Sequence, residues 1–504
     1  MSELGVVATE SSTDRFPLIA SRPLRVGEYV ITDTADGKIL SFIEKSMIRS
    51  SLMETAKNYI SAVEASRASE GNPRDKLYVA TARVLGLVDM LKNGVVFMPS
   101  VPPTPGSPVF EAPSDLLADI FSRKGNNYAI VGKLLRNPNI SVSIDLNRVA
   151  SRHLAILATT GSGKSNLLAL IAKRVSEVHG TMVIFDYHGE YSNLAFERVT
   201  HVQSKINPRI LDSEELADLL EVRASADKQR SILSTVLTSE VKESENFWDA
   251  LISELNEIVN DKNSRSDDVN VARRLIEIIN RALSRMGRIL DPDMGDPIDQ
   301  LKPNYINVID MSELSEAQAS VIISYYLSRI LEDRKQAQRL RITGEGTRVR
   351  FSSPVIVAIE EAHAFIPNDV YNEAVEAASK IAREGRKFGV SLIIVSQRPS
   401  RVNQDILSQM GSMAVLRLTQ PRDQNYILET SELISEELAE YLPSLNVGEA
   451  ILLGQWVSLP SIVKIDKAEE KLLGSDIDAV KQWSESKDWS EIARENTDEF
   501  IKGV

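Results

Sequence analysis

The chain has no cysteine, five histidines and few aromatic residues, and none of its apolar runs approaches the roughly 20 residues that cross a bilayer. Without cysteine there is no disulfide, no thiol nucleophile and no thiolate metal site. Five scattered histidines argue against a zinc mechanism and leave Mg²⁺ as the metal to expect. The opening MSELGVVATESST carries neither the basic nor the hydrophobic block of an export signal, so the expectation is a cytoplasmic protein without a membrane segment. Positive charge is also scarce: 58 Lys and Arg stand against 71 Asp and Glu, a net charge of −13. That balance lowers the expectation of a nucleic-acid partner. It does not exclude one, because a basic channel or stripe can lie inside an acidic whole. What is present is ordinary for a soluble globular chain, with 43% apolar and 26% charged residues, and 504 residues suffice for two or three domains.

Residues 20–110 read as a small all-β domain. VGEYVI (26–31) and KILSFIE (38–44) flank an Asp36-Gly37 turn, and LYVATARVLGLV (77–88) and GVVFMP (94–99) continue the pattern around Asn93-Gly94. Residues 50–69 read as a helix or a long loop. Short strands joined in this way predict a closed barrel, because closure removes exposed edges. PSVPPTPGSPV (99–109) reads as a linker. Beyond it, SVSIDL (141–146), HLAILA (153–158), TMVIFDY (181–187), YINVIDM (305–311), PVIVAIE (354–360), VSLIIVSQ (390–397) and MAVLRLT (413–419) are nearly continuous apolar runs. Several are separated by helical patterns, as strands buried on both faces of a parallel sheet would be. The helix after YINVIDM opens with Ser315 and Gln318 at capping-box spacing, then carries Val321, Ile322 and Tyr325 at helical period. Residues 212–290 hold only helical patterns, broken by DKNSRSDD (261–268). The prediction is an α/β fold with a mostly parallel central sheet, an N-terminal all-β barrel and an inserted helical subdomain. Its divisions are a barrel with its linker (1–110), the first part of the core (111–211), the insert (212–290), the second part of the core (291–460) and a C-terminal extension or subunit strap (461–504).

ILATTGSGKSN (156–166) places a glycine-rich turn between a strand and a helix, which surrounds phosphate oxygens with backbone N–H groups. Thr160, Gly161, Ser162, Gly163, Lys164, Ser165 and Asn166 are the predicted nucleotide contacts. Gly161 and Gly163 permit the tight wrap, Lys164 reaches the β and γ phosphates, and Ser165 ligates Mg²⁺. The first position of the motif, usually glycine, is Ala158. PVIVAIEEAHAFIP (354–367) ends a buried strand in paired acids; we assign Glu360 to the metal and Glu361 to polarising the attacking water. No base-reading NKxD tetrad stands in a suitable place, which favours ATP over GTP. Gln397 ends another apolar strand, where its amide can sense the γ-phosphate or orient the water, or simply fills the turn before Pro399. Asp186, at the end of TMVIFD, suits a role as a magnesium ligand at one remove or as a helix cap. Arg152 and Arg386 precede the Lys164 and Gln397 strands, so each faces a neighbouring subunit's phosphate more readily than its own, or is an ordinary surface charge. Arg274, Arg281, Arg285 and Arg288 fall along one side of a helix whose next face is apolar; Lys387 stands beside Arg386. Such a stripe meets DNA phosphates or forms salt bridges.

SRHLAILATTGSGKSN (151–166), FDYHGEY (185–191), IEEAHAFIP (359–367), IAREGRKFGVSLIIVSQRPS (381–400) and NVGEAILLG (446–454) together resemble, in the same order, the HerA/FtsK superfamily of P-loop ATPases, most closely its archaeal HerA DNA helicases. The likeness covers nearly the whole chain. It implies a RecA-like motor core in a homo-hexameric ring that moves on double-stranded DNA and helps resect broken ends for recombination. It further implies Mg²⁺ and ATP as cofactors and a NurA-like nuclease docked on the N-terminal β domains, as in the archaeal recombination nuclease–ATPase complex. By the same resemblance the catalytic set is Lys164, Glu361, Gln397, Arg386 and Arg152, and the metal set is Ser165, Glu360 and Asp186. Glu360 stands where many relatives have aspartate, which keeps the carboxylate. The rival expectations are a DNA-pumping coupling ATPase, an ATP-switched ring that moves nothing, and a protein-remodelling ATPase.

Overall fold

A computed structural model describes all residues except Met1, Gly71, Pro73, Ala224, Arg288, 345–348, Tyr371, 469–482 and 484–504. The strap expected at the C-terminus and the last arginine of the basic stripe, Arg288, therefore lie outside the described residues, apart from 461–468 and Trp483.

The N-terminal unit is a closed barrel of β1 (Glu3–Val7), β2 (Arg15–Ala20), β3 (Tyr29–Thr34), β4 (Gly37–Ser50), β5 (Lys76–Leu87) and β6 (Pro108–Glu111), in the order β1-β2-β5-β4-β3-β6. The hairpin expected near Asp36-Gly37 is there, with Thr34 paired to Gly37. Period-two alternation sends Phe16, Leu18, Val30, Ile39, Ile43 and Val109 into the barrel. It sends Tyr29, Ile31, Leu40, Phe42 and Leu85 into the main core cluster, so the barrel is mounted on the rest of the chain through one apolar face. Residues 50–69, read as helix or loop, form the helices Ser51–Glu54 and Tyr59–Glu70.

The barrel departs from expectation in two places. The strand expected at 94–99 does not form. Asn93 and Gly94 close the short helix Val88–Lys92, Val95 N–H returns to Met90 O, and Phe97 O takes only the Leu87 N–H. The place between β1 and β3 is filled instead by β6, drawn from the end of the supposed linker. A barrel has one closing position, and strand propensity does not say which segment takes it.

The second unit is an eleven-stranded sheet, ordered β11-β12-β10-β13-β14-β9-β15-β16-β17-β7-β8. Its parallel part comprises β11 (Val199–Gln203), β12 (Ile306–Asp310), β10 (Thr181–Asp186), β13 (Val355–Ile359), β14 (Val390–Ser396), β9 (Leu154–Leu157) and β15 (Ser412–Leu416). β9, β10, β13, β14 and β15 are buried at every position, as helices on both faces require. β16 (Glu449–Gly454), β17 (Ser461–Ile465), β7 (Tyr128–Leu134) and β8 (Ser141–Asp145) extend the sheet antiparallel, so 141–146 joins an antiparallel margin and not the parallel core. Between β11 and β12 run the helices Ser213–Leu219, Asp227–Val236, Ser239–Glu243, Phe247–Asn260 and Ser266–Met286. They pack around buried Leu233, Phe247, Leu251, Leu255, Leu275 and Ile279. The Ser315/Gln318 capping box forms and starts the helix Glu316–Thr343.

Candidate functional site

The strand order decides what can meet. β14 lies between β13 and β9, and all three run the same way. Their carboxyl ends therefore share one edge of the sheet, where loops carry ligand-binding groups in open α/β folds.

From β9 the chain enters the glycine-rich turn. Gly161 has φ 74° and Gly163 φ 107°, left-handed values that suit glycine. A Cβ built at Gly161 would meet nothing within 4 Å, so the crest of the turn is open on its outer side. The inner side is fastened to the protein. Thr159 N–H donates to Arg417 O at 2.9 Å, Gly448 N–H to Ser162 O at 3.0 Å and Ala158 N–H to Ser396 O at 3.1 Å. Gly448 belongs to NVGEAILLG, so this distant segment buttresses the turn. The helix Lys164–Glu177 then begins with Lys164 almost fully buried.

β13 delivers the paired acids. Glu361 adopts φ 46° and ψ 43°, a left-handed conformation that costs a residue with a Cβ about 1–3 kcal/mol. The reversal directs Glu361 toward the lysine: its Oε1 lies 3.7 Å from Lys164 Nζ and 4.0 Å from His188 Nε2. Oε2 lies 3.2 Å from His363 Nδ1. That distance suits a hydrogen bond, yet the atom is buried and accepts none in good alignment. Burial, with the nearby Arg398, Lys164 and Arg401 cations, lowers His363 to about 4. Gln397 reaches the turn from β14, its Oε1 accepting from Thr160 Oγ1.

Glu360 points the other way. Its carboxyl is pushed well up, first by burial and then by the charge of Asp186. Asp186 is fully buried and accepts Glu190 N–H at 3.0 Å and Tyr191 N–H at 2.8 Å. It thus caps its own turn while bordering Glu360. Glu360 Oε2 is buried with no hydrogen-bond partner. Two adjacent buried carboxyls with an orphaned oxygen require a proton or a cation. Ser165 and Glu360 both border the phenol of buried Tyr191, which brings the serine to the same corner. Among the described residues no three or more His, Asp or Glu side chains form a metal cage. Mg²⁺ needs none, because it typically takes one or two protein oxygens and fills its shell with phosphate and water. The residues fit.

Other predicted residues stand apart. Asn166 is committed to the C-terminal segment: Nδ2 donates to Asp466 O and Oδ1 accepts Ala468 N–H, both at 2.9 Å. Arg152 ends the helix Leu146–Arg152 and Arg386 lies near the end of the helix Glu373–Phe388, at the amino ends of β9 and β14. At about 3.3 Å per strand residue, β14 alone separates Arg386 from the cluster by roughly 20 Å. The two arginines are neighbours: burial first, then the charges of Arg386 and Arg148, lower Arg152 from its ordinary value. In the basic stripe, Arg285 forms a two-pronged pair with Glu221, both contacts at 3.1 Å. Arg274 and Arg281 line, with Arg223, a groove of about 510 Å³. His188 and His363 escaped residue-by-residue reading, although both sit inside the quoted motifs; only the left-handed turn at Glu361 brings it between them.

A family model described as "Helicase HerA, central domain" matches residues 129–330. The DNA double-strand break repair helicase HerA of Saccharolobus solfataricus is 37% identical to this chain over 97% of both. The chain belongs to the HerA helicase family. The HerA helicase of Sulfurisphaera tokodaii is 36% identical, over 96% of this chain and 97% of its own length. Among solved structures, VirB4 of Thermoanaerobacter pseudethanolicus matches with a TM-score of 0.51 and 17% identity, covering 69% of this chain and 99% of that one. At that identity VirB4 speaks for the fold alone. Among the described residues, no helix of this HerA-family chain is long and apolar enough to cross a membrane.

Proposed function

We propose that the chain is an ATP-driven translocase and helicase acting on double-stranded DNA, working as a homo-hexamer with a NurA-like nuclease in the resection of broken ends. The observation that carries the reading is the approach of Lys164 Nζ to Glu361 Oε1 at 3.7 Å, on the one sheet edge shared by the glycine-rich turn, the paired acids and Gln397. In this reading Lys164 and the backbone N–H groups of 160–165 hold the triphosphate. Ser165 and Glu360, with Asp186 beside them, would hold Mg²⁺, whose charge would offset that of the phosphate oxygens. Glu361 polarises the attacking water and Gln397 reads the γ-phosphate. Arg152 and Arg386 lie too far from their own cluster to serve it, and in a ring they face the next subunit's phosphate. Arg274 and Arg281 contact DNA phosphates. The barrels, mounted on the core through an apolar face, receive the nuclease.

The test measures ATP turnover of the full chain alone, with duplex DNA, with single strands and with unfolded protein. Strong stimulation by duplex DNA is expected, and indifference to DNA would refute the motor. Glu361→Gln should bind ATP normally and lose turnover by about 100-fold or more. Normal hydrolysis by that variant would remove Glu361 from its assigned role.

A further inference from the structure

Glu361 is positioned from two sides. Lys164 and His188 face Oε1, and the buried Oε2 is left with His363 Nδ1 at 3.2 Å. The same nitrogen lies 3.3 Å from Ser396 Oγ, and that hydroxyl accepts the Arg398 N–H at 3.0 Å. Ser396 is the last residue of β14; its successor, Gln397, touches Thr160 on the glycine-rich turn. An imidazole thus stands between the catalytic carboxylate and the loop that meets the phosphate turn. Its side chain is 12% exposed, so bulk water competes little for either contact.

We propose that His363 is a positioning residue for Glu361: its Nδ1–H holds Oε2, and through Ser396 it ties the carboxylate to the Gln397 loop, leaving Oε1 to face the water. The tautomer follows from the acceptors. The carboxylate facing Nδ1 can only accept, so the proton belongs on that nitrogen, and the Ser396 hydroxyl then serves as its second acceptor. Burial and the surrounding cations keep the ring neutral, the form in which Nδ1–H serves as a donor without adding a charge. Small ring rotations then favour one acceptor or the other, which lets movement of the β14 loop reach the carboxylate. The inference rests on the reading of Glu361 given above.

The experiment uses the full chain with saturating duplex DNA and compares His363→Asn, His363→Gln and His363→Ala, with Glu361→Gln in parallel. Asparagine places an amide N–H near the position of Nδ1, whereas glutamine carries it one bond further out. Positioning predicts that kcat falls about 10-fold or more in the Gln and Ala variants and is largely kept in Asn. KM and the affinity for a fluorescent ATP analogue, measured by equilibrium binding, should stay as in the parent. A space-filling role predicts the reverse order, because glutamine is closer to histidine in volume. Ser396→Ala should lower kcat in the same direction, and adding it to His363→Ala should cost nothing more. If Asn and Gln are equally impaired, or the loss lies in nucleotide affinity, the positioning role is wrong; additive losses would cut the tie to the loop. Should His363→Ala fail to fold, the Asn/Gln pair decides. A normal Glu361→Gln enzyme would overturn the reading of Glu361, while an inactive one beside a fully active His363→Ala would overturn only the role of His363.

Discussion

His153 offers a quantitative test of how the arginine end of the sheet is held together. It follows Arg152 directly, is 4% exposed and has φ 54°, an uncommon value for a residue with a side chain. Its Nδ1 accepts the Leu392 N–H at 2.9 Å, and the ring also bonds the backbone of Ala382. The ring therefore links the start of β9 to β14 and to the helix that carries Arg386. Burial lowers the imidazole from 6.5 to about 4. The folded state refuses a proton that the unfolded chain accepts below pH 6.5. Stability from the neutral ring is complete above that value, declines as pH falls from 6.5 toward 4, and levels off below. The loss is about 2 kcal/mol at pH 5 and about 3 kcal/mol once both states are protonated. His153→Asn keeps an acceptor for the Leu392 N–H and cannot titrate. Urea unfolding, followed by tryptophan emission at pH 8 and pH 5, should show the parent losing about 2 kcal/mol more than the variant. Carboxylates titrate alike in both proteins and cancel in the difference. Parallel losses would refute the argument.

The mounting of the barrel gives a second prediction. Glu44 has a fully buried side chain, takes Ser435 Oγ–H at 2.8 Å, and lies 3.4 Å from Arg83 and 3.5 Å from Arg15. Glu44→Gln should weaken the barrel–core junction by about 1–2 kcal/mol, the partly exposed arginines moderating the loss. Faster proteolysis around 111–114 would register it, and an unchanged digest would count against it. Arg386→Ala should impair turnover, and mixing it with an inactive Lys164→Ala protein should restore some, since mixed assemblies of the proposed ring would contain intact composite sites; no recovery would leave the arginine without a role across subunits. Arg274→Ala with Arg281→Ala should lower duplex affinity for all sequences and reduce the salt slope by roughly 2. An unchanged slope would return those arginines to the solvated surface.

The chemistry of the proposed triphosphate site was legible because its signals are local. GSGKS between a strand and a helix, paired acids ending PVIVAI, and Gln397 ending VSLIIVS each report a strand end within a few residues. Uninterrupted apolar runs marked strands buried on both faces, and continuous burial of β10, β13 and β14 is the same fact seen in space. Pairing is a different matter, because it depends on which distant segment gains most by lying alongside. GVVFMP has as strong a strand composition as PVFE, yet β6 took the place between β1 and β3, and GVVFMP stayed outside the sheet. Arg285 read as part of a stripe until Glu221, 64 residues away, accounted for its charge. His188 and His363 became neighbours of one carboxylate only through the left-handed turn at Glu361, a backbone state that residue type does not announce. Residue types at short spacing were enough to mark the groups proposed to bind a triphosphate, because that chemistry is local. Tertiary structure alone decided which of them meet, since strand order and one strained dihedral are settled by the packing of the whole chain.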